Sequence, residues 1–557
     1  MRVVIFHGYL LRGTGSNIYN AELAETLVRL GHDVHLFCQD RDPGELGFVD
    51  TVAHWEDGEL VVRQRRRPPH RGRCTVYRPD IGSLLPVYVY DRYEGFEVRT
   101  FDRITEAELD RYLAANVAAV REVVAAVEPH VGLANHLVMG PVIFARALSG
   151  VPYAVKIHGS ALEYTVKPHY QRFAPYAREG LVPARAVLVG SRHTAESLWA
   201  AMPIEGLPER TRLGPPGVDT HTFVPRSPKE AAEEIDGLVR WLEAKERTGF
   251  NRAAAQALDR LIAPGRDRPP DGDALAEVRA EYDPSGIDTQ APLALSRLDP
   301  VAHRIVCFVG KLIVSKGIDL LLAAWPLVLA REPRARLVVV GFGTYREGLE
   351  VLMRGIERAD ERLINHVCRH GRALEGGPRD QLTYLRTFFD GLGGRAERYF
   401  SAARKLRASV FFTGRLEHGE LARLLPAAEA TVVPSMFPEA FGMVAAEAAA
   451  CGALPVAAAH SGLAEVAGVL GQRLPLQVRS LLTFERGMRV VDGIAQALTG
   501  WLQLPDEARA AARARLVETA REHFGWERVA EGMLSAAQGK LELLDPVPGT
   551  VPFAPTA

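Results

Sequence analysis

Short apolar runs alternate with segments of helical periodicity along most of the chain. VVIF at residues 3–6 leads into a loop, residues 7–16, that contains Gly8, Gly13 and Gly15. Leu23, Leu27 and Leu30 then recur at helical spacing, Gly31 closes that helix, and residues 34–37 form a second apolar run. A strand, a helix and a second strand in this order predict a parallel sheet covered by helices. Further runs at residues 153–157 and 186–189 continue the alternation.

The pattern restarts in the second half. Residues 305–309 predict a strand, residues 318–329 a helix, and residues 336–340 a strand that stops at Gly341. Apolar runs at residues 410–412, 431–433 and 454–457 follow. The fold class expected is α/β, with two Rossmann-like, doubly wound domains. Ligands of open α/β sheets bind beyond the carboxyl ends of the strands, so two such domains imply a site in a central cleft that both face. A chain of 557 residues also exceeds what one hydrophobic core serves. The expected domains are residues 1–225, an insertion or linker at 226–300, and a second Rossmann-like domain at 301–500 that carries its own insertion at 354–407. Helices at 501–545 are expected to pack back toward the first domain.

Both insertions interrupt the alternation. Residues 229–300 are polar and rich in Arg, Asp and Pro, with Leu238, Leu242, Leu258 and Leu261 at helical spacing. Residues 354–407 carry Leu382, Leu385, Phe388 and Phe389, an apolar string that exposure would make costly. Loops longer than about 15 residues with no structure of their own are uncommon, so both are expected to be partly helical. Lids, acceptor elements or homodimer surfaces are the uses open to them. The Pro-rich tail, 546–557, is expected to fray.

Composition removes some classes of partner. Lys and Arg total 67 against 68 Asp and Glu, a formal charge of -1, so no global basic excess points to nucleic acid. One local exception is RQRRRPPHRGR, residues 63–73, which reads either as a solvated loop or as a contact for an anionic acceptor or a membrane surface. Cys38, Cys74, Cys307, Cys368 and Cys451 are scattered and odd in number, the usage of reduced thiols in a cytoplasmic protein. The first residues place Gly and Arg where a signal peptide needs a continuous apolar core. No run reaches the roughly 18 apolar residues of a membrane helix.

The most informative stretch for chemistry is PSMFPEAFGMVAAEAAACG, residues 434–452. It follows a predicted strand, Pro438 blocks that strand's continuation, and the small residues after Gly442 predict a helix. Glu439 precedes this helix and Glu447 lies about two turns into it. The first N–H groups of the helix lack intrahelical partners and sit at its positive end, which suits anionic or hydroxyl-rich ligands. Lys311 and Lys316, in the loop after residues 305–309, stand at the carboxyl end of the same sheet and can neutralise a diphosphate. His366, Cys368 and His370 form an H-x-C-x-H string that shares one face on a strand and diverges on a helix, and no fourth ligand accompanies it. A glycosidase pair made of Glu439 and Glu447 fits less well than nucleotide-sugar binding, because both sit around one helix start beside a lysine loop. The adjacent His158, Gly159 and Ser160 do not make a nucleophile triad by adjacency.

These segments resemble the retaining GT-B glycosyltransferases of family 4. Glu439 and Glu447 match the family's E-x7-E motif, and PSMFPEAFGMVAAEA, GLAEV (residues 462–466), FVGKLIVSKGIDLLL, HGSALEY from His158, the Gly13–Gly15 loop and PPGVDTHTF (residues 215–223) resemble its other segments. The resemblance implies a nucleotide-diphosphate sugar as donor and a hydroxyl acceptor that it does not name. By the same resemblance, Glu439 binds the donor sugar's hydroxyls with the backbone of Ala440, Phe441 and Gly442, and Glu447 binds the ribose. Lys311 and Lys316 hold the diphosphate, and Gly13 and Gly15 approach the phosphates. His158 reaches the sugar, and the base lies near Gly343 and the turn of Arg415 and Leu416. The implied catalytic set is Glu439, His158 and Lys316, acting without metal or other cofactor, with the departing diphosphate as the base. The chain departs from the family at Lys311, where Arg is usual, at Pro216, where Asn is common, and at Glu429, where Asp is usual. A silent nucleotide-sugar-binding regulatory protein and a phosphorylase of the same fold are the alternatives.

Overall fold

The computed structural model describes residues 1–13, 15–67, 69–89, 93, 95–263 and 268–549. The chain divides into two compact units: Met1–Gly217 with Phe524–Ala557, and Val218–His523.

The first unit contains β1 (Arg2–Phe6), β2 (Asp33–Phe37), β3 (Thr51–Glu56), β4 (Glu59–Arg65), β5 (Arg73–Arg78), β6 (Leu84–Val87), β7 (Glu97–Thr100), β8 (Val131–Asn135), β9 (Tyr153–Lys156), β10 (Ala186–Val189) and β11 (Thr211–Leu213). Among the described residues, nine of these form one sheet in the order β11-β10-β9-β8-β1-β2-β5-β3-β4, with β6 and β7 paired separately. Among the described strands, only β4 runs antiparallel, against β3. Side chains of β1 alternate between two cores. Val4 and Phe6 join Leu113, Val120 and Phe173 on one face, while Val3 and Ile5 join Leu23, Leu27, Trp526 and Met533 on the other. Burial on both faces is why the strand reads as a continuous apolar run. The helix Trp526–Gln538, drawn from the far end of the sequence, completes the second face.

The basic run at residues 63–73 keeps the solvation that its composition suggests, with Arg63, Arg65, Arg67, Arg71 and Arg73 all exposed, but strands form both of its ends. Arg63 and Arg65 lie in β4 and Arg73 opens β5, so the segment bridges two strands of the sheet. Arg66 is held inward by the carbonyls of Val49 (2.6 Å) and Leu46, and Arg63 pairs with Glu56. Arg63 and Arg65, two apart on β4, share one face, and both are exposed.

The second unit contains β12 (Arg304–Val309), β13 (Ala335–Val340), β14 (Val410–Gly414), β15 (Ala430–Val433), β16 (Leu454–Ala458) and β17 (Thr483–Phe484). All pair in parallel, in the order β14-β13-β12-β15-β16-β17. This is the doubly wound order in which the winding reverses between the first and fourth strands, here β12 and β15. Glu429, just before β15, is engaged by Arg304 (2.8 Å), Arg513 (3.3 Å) and Arg509 (3.5 Å), a structural role at the opposite end of that strand from the loop it leads to.

Both insertions are helical and packed. Residues 229–300 contribute Pro228–Ala244, Arg252–Leu261, Gly272–Arg279 and Ala291–Leu295. Leu238, Leu242 and Leu258 are buried. In residues 354–407, Leu385 and Phe388 are buried, and the Tyr399 hydroxyl donates to Ala323 O at 2.9 Å. Ion pairs join the first insertion to the helix Arg346–Arg358, all of them buried except at Asp259. Arg346 reaches Glu350 (2.5 Å) and Asp288 (3.3 Å), and Arg354 reaches Glu350 and Asp259 (2.9 Å). The two arginines hold the Glu350 carboxyl down at about 2 against the cost of its burial. The H-x-C-x-H string lies on the helix Glu361–His370 rather than on a strand. One helical turn apart, His366 and His370 stack at 4.0 Å, and Cys368 turns into the core. Among the described residues, no group of three or more His, Cys, Asp or Glu could hold a metal ion, and no helix is long and apolar enough to cross a membrane.

Candidate active site

The carboxyl ends of β12 and β15 flank the point where the winding of the second sheet reverses, which is where ligands of such sheets bind. The loop after β12 carries Lys311 and ends in a helical turn, Val314–Lys316. Gly317 follows at φ +68, and a Cβ there would meet Pro434 O at 2.0 Å, so only glycine lets this loop lie against the one after β15. Ser315 O accepts from Met436 N (2.9 Å), tying the two loops together. Across this junction the Lys316 ammonium donates to Glu439. Lys311 is exposed and makes no ion pair among the described residues.

Glu439 is fixed at its backbone as well. Its N–H donates to Ser461 Oγ (2.9 Å) and its carbonyl accepts from Gly462 N (3.0 Å), both at the start of the helix Ser461–Leu470. The helix Met443–Ala450 begins after Gly442, so Ala440, Phe441 and Gly442 form its approach. Glu447 therefore lies just over one turn into the helix, not two. It is buried, and His418 Nε2 is 3.0 Å from its carboxylate. On the other side of β12, Gly343 lies over Leu312, with room for no side chain (a Cβ would meet Leu312 O at 2.4 Å). Arg415 stands with its guanidinium 5.4 Å from the Phe342 ring and pairs with Glu417 at 2.6 Å, and Leu416 is its neighbour in the turn after β14.

In the first unit the equivalent reversal falls between β1 and β8. Gly13, at φ +95, lies in the loop after β1, and Gly15 opens the helix Gly15–Arg29. His158, after β9, anchors a relay of buried side chains. Asn135 Nδ2 donates to Phe6 O (3.1 Å) and Asn20 Oδ1 (2.7 Å), so its Oδ1 must accept from His158 Nε2 at 2.8 Å. Asn20 Nδ2 in turn reaches His7 Nδ1 (3.0 Å), and His7 Nε2 reaches Asn17 Oδ1 (2.9 Å). Asn17 Nδ2 ends the relay at Arg12 O (2.7 Å), beside Gly13. His158 thus carries its proton on Nε2. Burial, and then the neighbouring His136, Lys156 and His7, push it well below the usual imidazole range, and burial takes His7 down to about 4. His136 stacks between them, 5.7 Å from His7 and 4.9 Å from His158, with neither ring nitrogen bonded.

The structure brings together Lys316, Glu439 and the approach to the helix carrying Glu447, and it sets Gly343 and Arg415 on the neighbouring strand ends. Sequence reasoning missed Ser461, His418 and the asparagines of the relay. Ser461 immediately precedes the GLAEV segment and was within reach of that match. His418 and Asn135 carried no local signal, since their partners lie 29 and 23 residues away.

Comparison with known proteins bears on the fold and the class of domain. The family model "Glycosyl transferase 4-like domain" matches residues 14–217, and "Glycosyl transferases group 1" models match residues 390–517 and 303–374. The fold is that of the GT-B glycosyltransferases, with two Rossmann-like domains. Sucrose-phosphate synthase from Thermosynechococcus elongatus shares it at 19% identity and a TM-score of 0.52, over 97% of this chain and 99% of that one. Anabaena Alr3699/HepE in complex with UDP shares it at 15% identity and a TM-score of 0.51, over 97% and 100%. Among curated relatives, D-inositol 3-phosphate glycosyltransferase of Segniliparus rotundus is 28% identical over 54% of this chain and 51% of its own length. Glycogen synthase of Mycobacterium tuberculosis is 33% identical over 39% and 46%. The chain spans about half the length of the curated relatives it matches.

Proposed function

We propose that this chain is a retaining hexosyltransferase that moves a sugar from a nucleotide-diphosphate donor to an acceptor hydroxyl without a metal ion. The observation that carries the reading is the Lys316–Glu439 pair at the strand reversal of the second sheet. It sets a cation for phosphate beside a carboxylate for hydroxyls, at the approach to a helix start. In this reading Lys316 and Lys311 neutralise the diphosphate, and Glu439 accepts from the sugar's hydroxyls beside the N–H groups of Ala440, Phe441 and Gly442. Glu447, oriented by His418, accepts from the ribose. Gly343, Arg415 and Leu416 border the base. Gly13 and Gly15 approach the phosphates, and His158 serves a sugar hydroxyl.

The acceptor oxygen forms a bond to the anomeric carbon on the face that the diphosphate leaves. The bond from that carbon to the phosphate oxygen breaks, with its electron pair going to the diphosphate. The acceptor's proton passes to the departing diphosphate oxygen. The protein's part is positioning and stabilisation of charge on the leaving group, which lysines and helix N-termini supply. UDP and UDP-glucose, bound by the Anabaena protein of the same fold, are the first donors to test. The experiment is release of nucleoside diphosphate from donor and acceptor together. It is expected to be acceptor-dependent, unaffected by a chelator, and nearly abolished in Glu439→Ala. Full turnover by that variant refutes the assignment.

A further inference from the structure

The two insertions have no part in the sheet alternation, yet each reaches a loop at the carboxyl ends of the second unit's strands. Glu375, in the insertion at 354–407, accepts from Val314 N at 2.8 Å, in the loop that presents Lys316. Arg279, in the insertion at 229–300, donates to Thr344 O at 2.5 Å, beside Gly343. The same insertion pairs its backbone with the end of β14 and the turn after it: Asp288 N donates to Thr413 O (2.9 Å) and Arg415 N to Gly286 O (3.3 Å). Three loops, after β12, β13 and β14, are thus each held by an inserted segment.

Of these contacts the one from Glu375 is the most committed. Its carboxylate is nearly buried, 8% exposed, and is itself oriented by Arg372 at 3.1 Å. The neighbouring Leu374 is buried, which anchors the turn that carries it. Val314 is the first residue of the helical turn Val314–Lys316, so its N–H has no acceptor within that turn. A hydrogen bond from an N–H to an ionised carboxylate is among the stronger ones, and here it sets the start of the turn whose last residue is Lys316.

We propose that Glu375 is a positioning residue for donor binding: through Val314 N it fixes the turn that aims Lys316, and the insertions serve as a brace for the donor loops. The inference rests on the reading that Lys316 holds the donor's diphosphate. A brace of this kind lowers the cost of ordering the loop when phosphate binds, so its loss appears in donor affinity before it appears in folding.

Affinity for UDP, then GDP and ADP, measured by calorimetry on the full chain, tests both levels. Lys316→Ala is expected to lose binding. If it binds as the wild type does, or if the wild type binds none of the three, the donor-site reading falls. Glu375→Ala is expected to weaken binding about tenfold with little change in thermal midpoint, and Glu375→Gln, which keeps an acceptor oxygen, to recover most of it. Val314→Pro removes the N–H without touching Glu375. Proline is tolerated at the first position of a helical turn, and Ile313 before it is already extended, at φ -136 and ψ 153. The double variant is expected to bind no worse than the weaker single one. Loss in Lys316→Ala together with wild-type affinity in Glu375→Ala overturns the brace alone. So do fully additive losses in the double variant. If Glu375→Ala does not fold, Val314→Pro and Glu375→Gln decide: wild-type affinity in Val314→Pro overturns the proposal, and a tenfold loss there with recovery in Glu375→Gln supports it.

Discussion

His158 Nε2 lies 2.8 Å from Asn135 Oδ1, and the two other bonds of that amide leave the imidazole no choice but to donate. The histidine that the family resemblance singles out is therefore held neutral, with its free lone pair on Nδ1. An imidazole in this state can accept from a sugar hydroxyl, and it carries no charge toward a phosphate.

This tautomer is open to measurement. Nitrogen-resolved NMR is expected to show His158 neutral and protonated on Nε2 throughout pH 6–8, because burial and three neighbouring basic groups disfavour its cation. In Asn135→Asp a carboxylate faces Nε2, and the titration of His158 should move upward. A wild-type His158 that titrates near 6.5 contradicts the relay.

The Lys316–Glu439 pair predicts unequal losses across the donor site. Glu439→Ala is expected to lower turnover by about 100–1000-fold, the scale of removing one preorganised polar group at a reacting centre. Glu447→Ala should mainly raise the donor KM, and His418→Ala should do the same more weakly, since it acts through Glu447. Steady-state kinetics on folded variants separates these outcomes.

Asp319 is buried in the first turn of the helix Ile318–Leu329, one oxygen is unbonded, and burial raises its carboxyl to about 7. Between the unfolded value of 3.8 and about 7, the folded state holds more protons than the unfolded state. Stability from this group therefore falls as pH rises through that window. Asp319→Asn is expected to remove the fall, gaining up to about 4 kcal/mol at pH 8 relative to wild type. Urea unfolding at pH 5 and pH 8 checks it, and an equal change at both pH values counts against the assignment.

Lys156 gives the opposite slope. Burial lowers its ammonium to about 7 from 10.5, while it donates to Gly214 O and lies 5.3 Å from the Tyr19 ring centre. Between those values the unfolded state holds more protons, so stability from this group rises with pH. In Lys156→Met the rise between pH 7 and pH 10 is expected to disappear, as read from thermal midpoints across that range.

Arg354, fully buried, faces Glu350 and Asp259. Arg354→Ala leaves a buried carboxylate with one cation fewer and is expected to destabilise the fold by about 3–5 kcal/mol. The double variant Arg354→Met with Glu350→Leu should recover much of that loss, because Arg346 keeps Asp288 as its partner and Asp259 is half exposed to water. Denaturant midpoints of the three proteins provide the comparison.

The sequence by itself determined the alternation of strands and helices, the restart of the pattern near residue 305, and the helix start between Glu439 and Glu447. Each is a local matter: apolar runs, helical spacing, and Gly or Pro at a boundary act over a few residues. The helix starts after Gly442 as expected, and four residues from Met443 to Glu447 make just over one turn rather than two. Charge density at residues 63–73 gave the solvation of the run but not the strands at its two ends. Only the tertiary structure decided which strand ends become neighbours. Lys316 and Glu439 are 123 residues apart and meet because β15 returns beside β12, and His158 meets Asn135 because β9 lies beside β8. The reach of Glu375 to Val314 belongs to the same class. Strand order and insertion packing are set by the burial of both sheet faces together, a property of the whole chain that no short stretch of it carries.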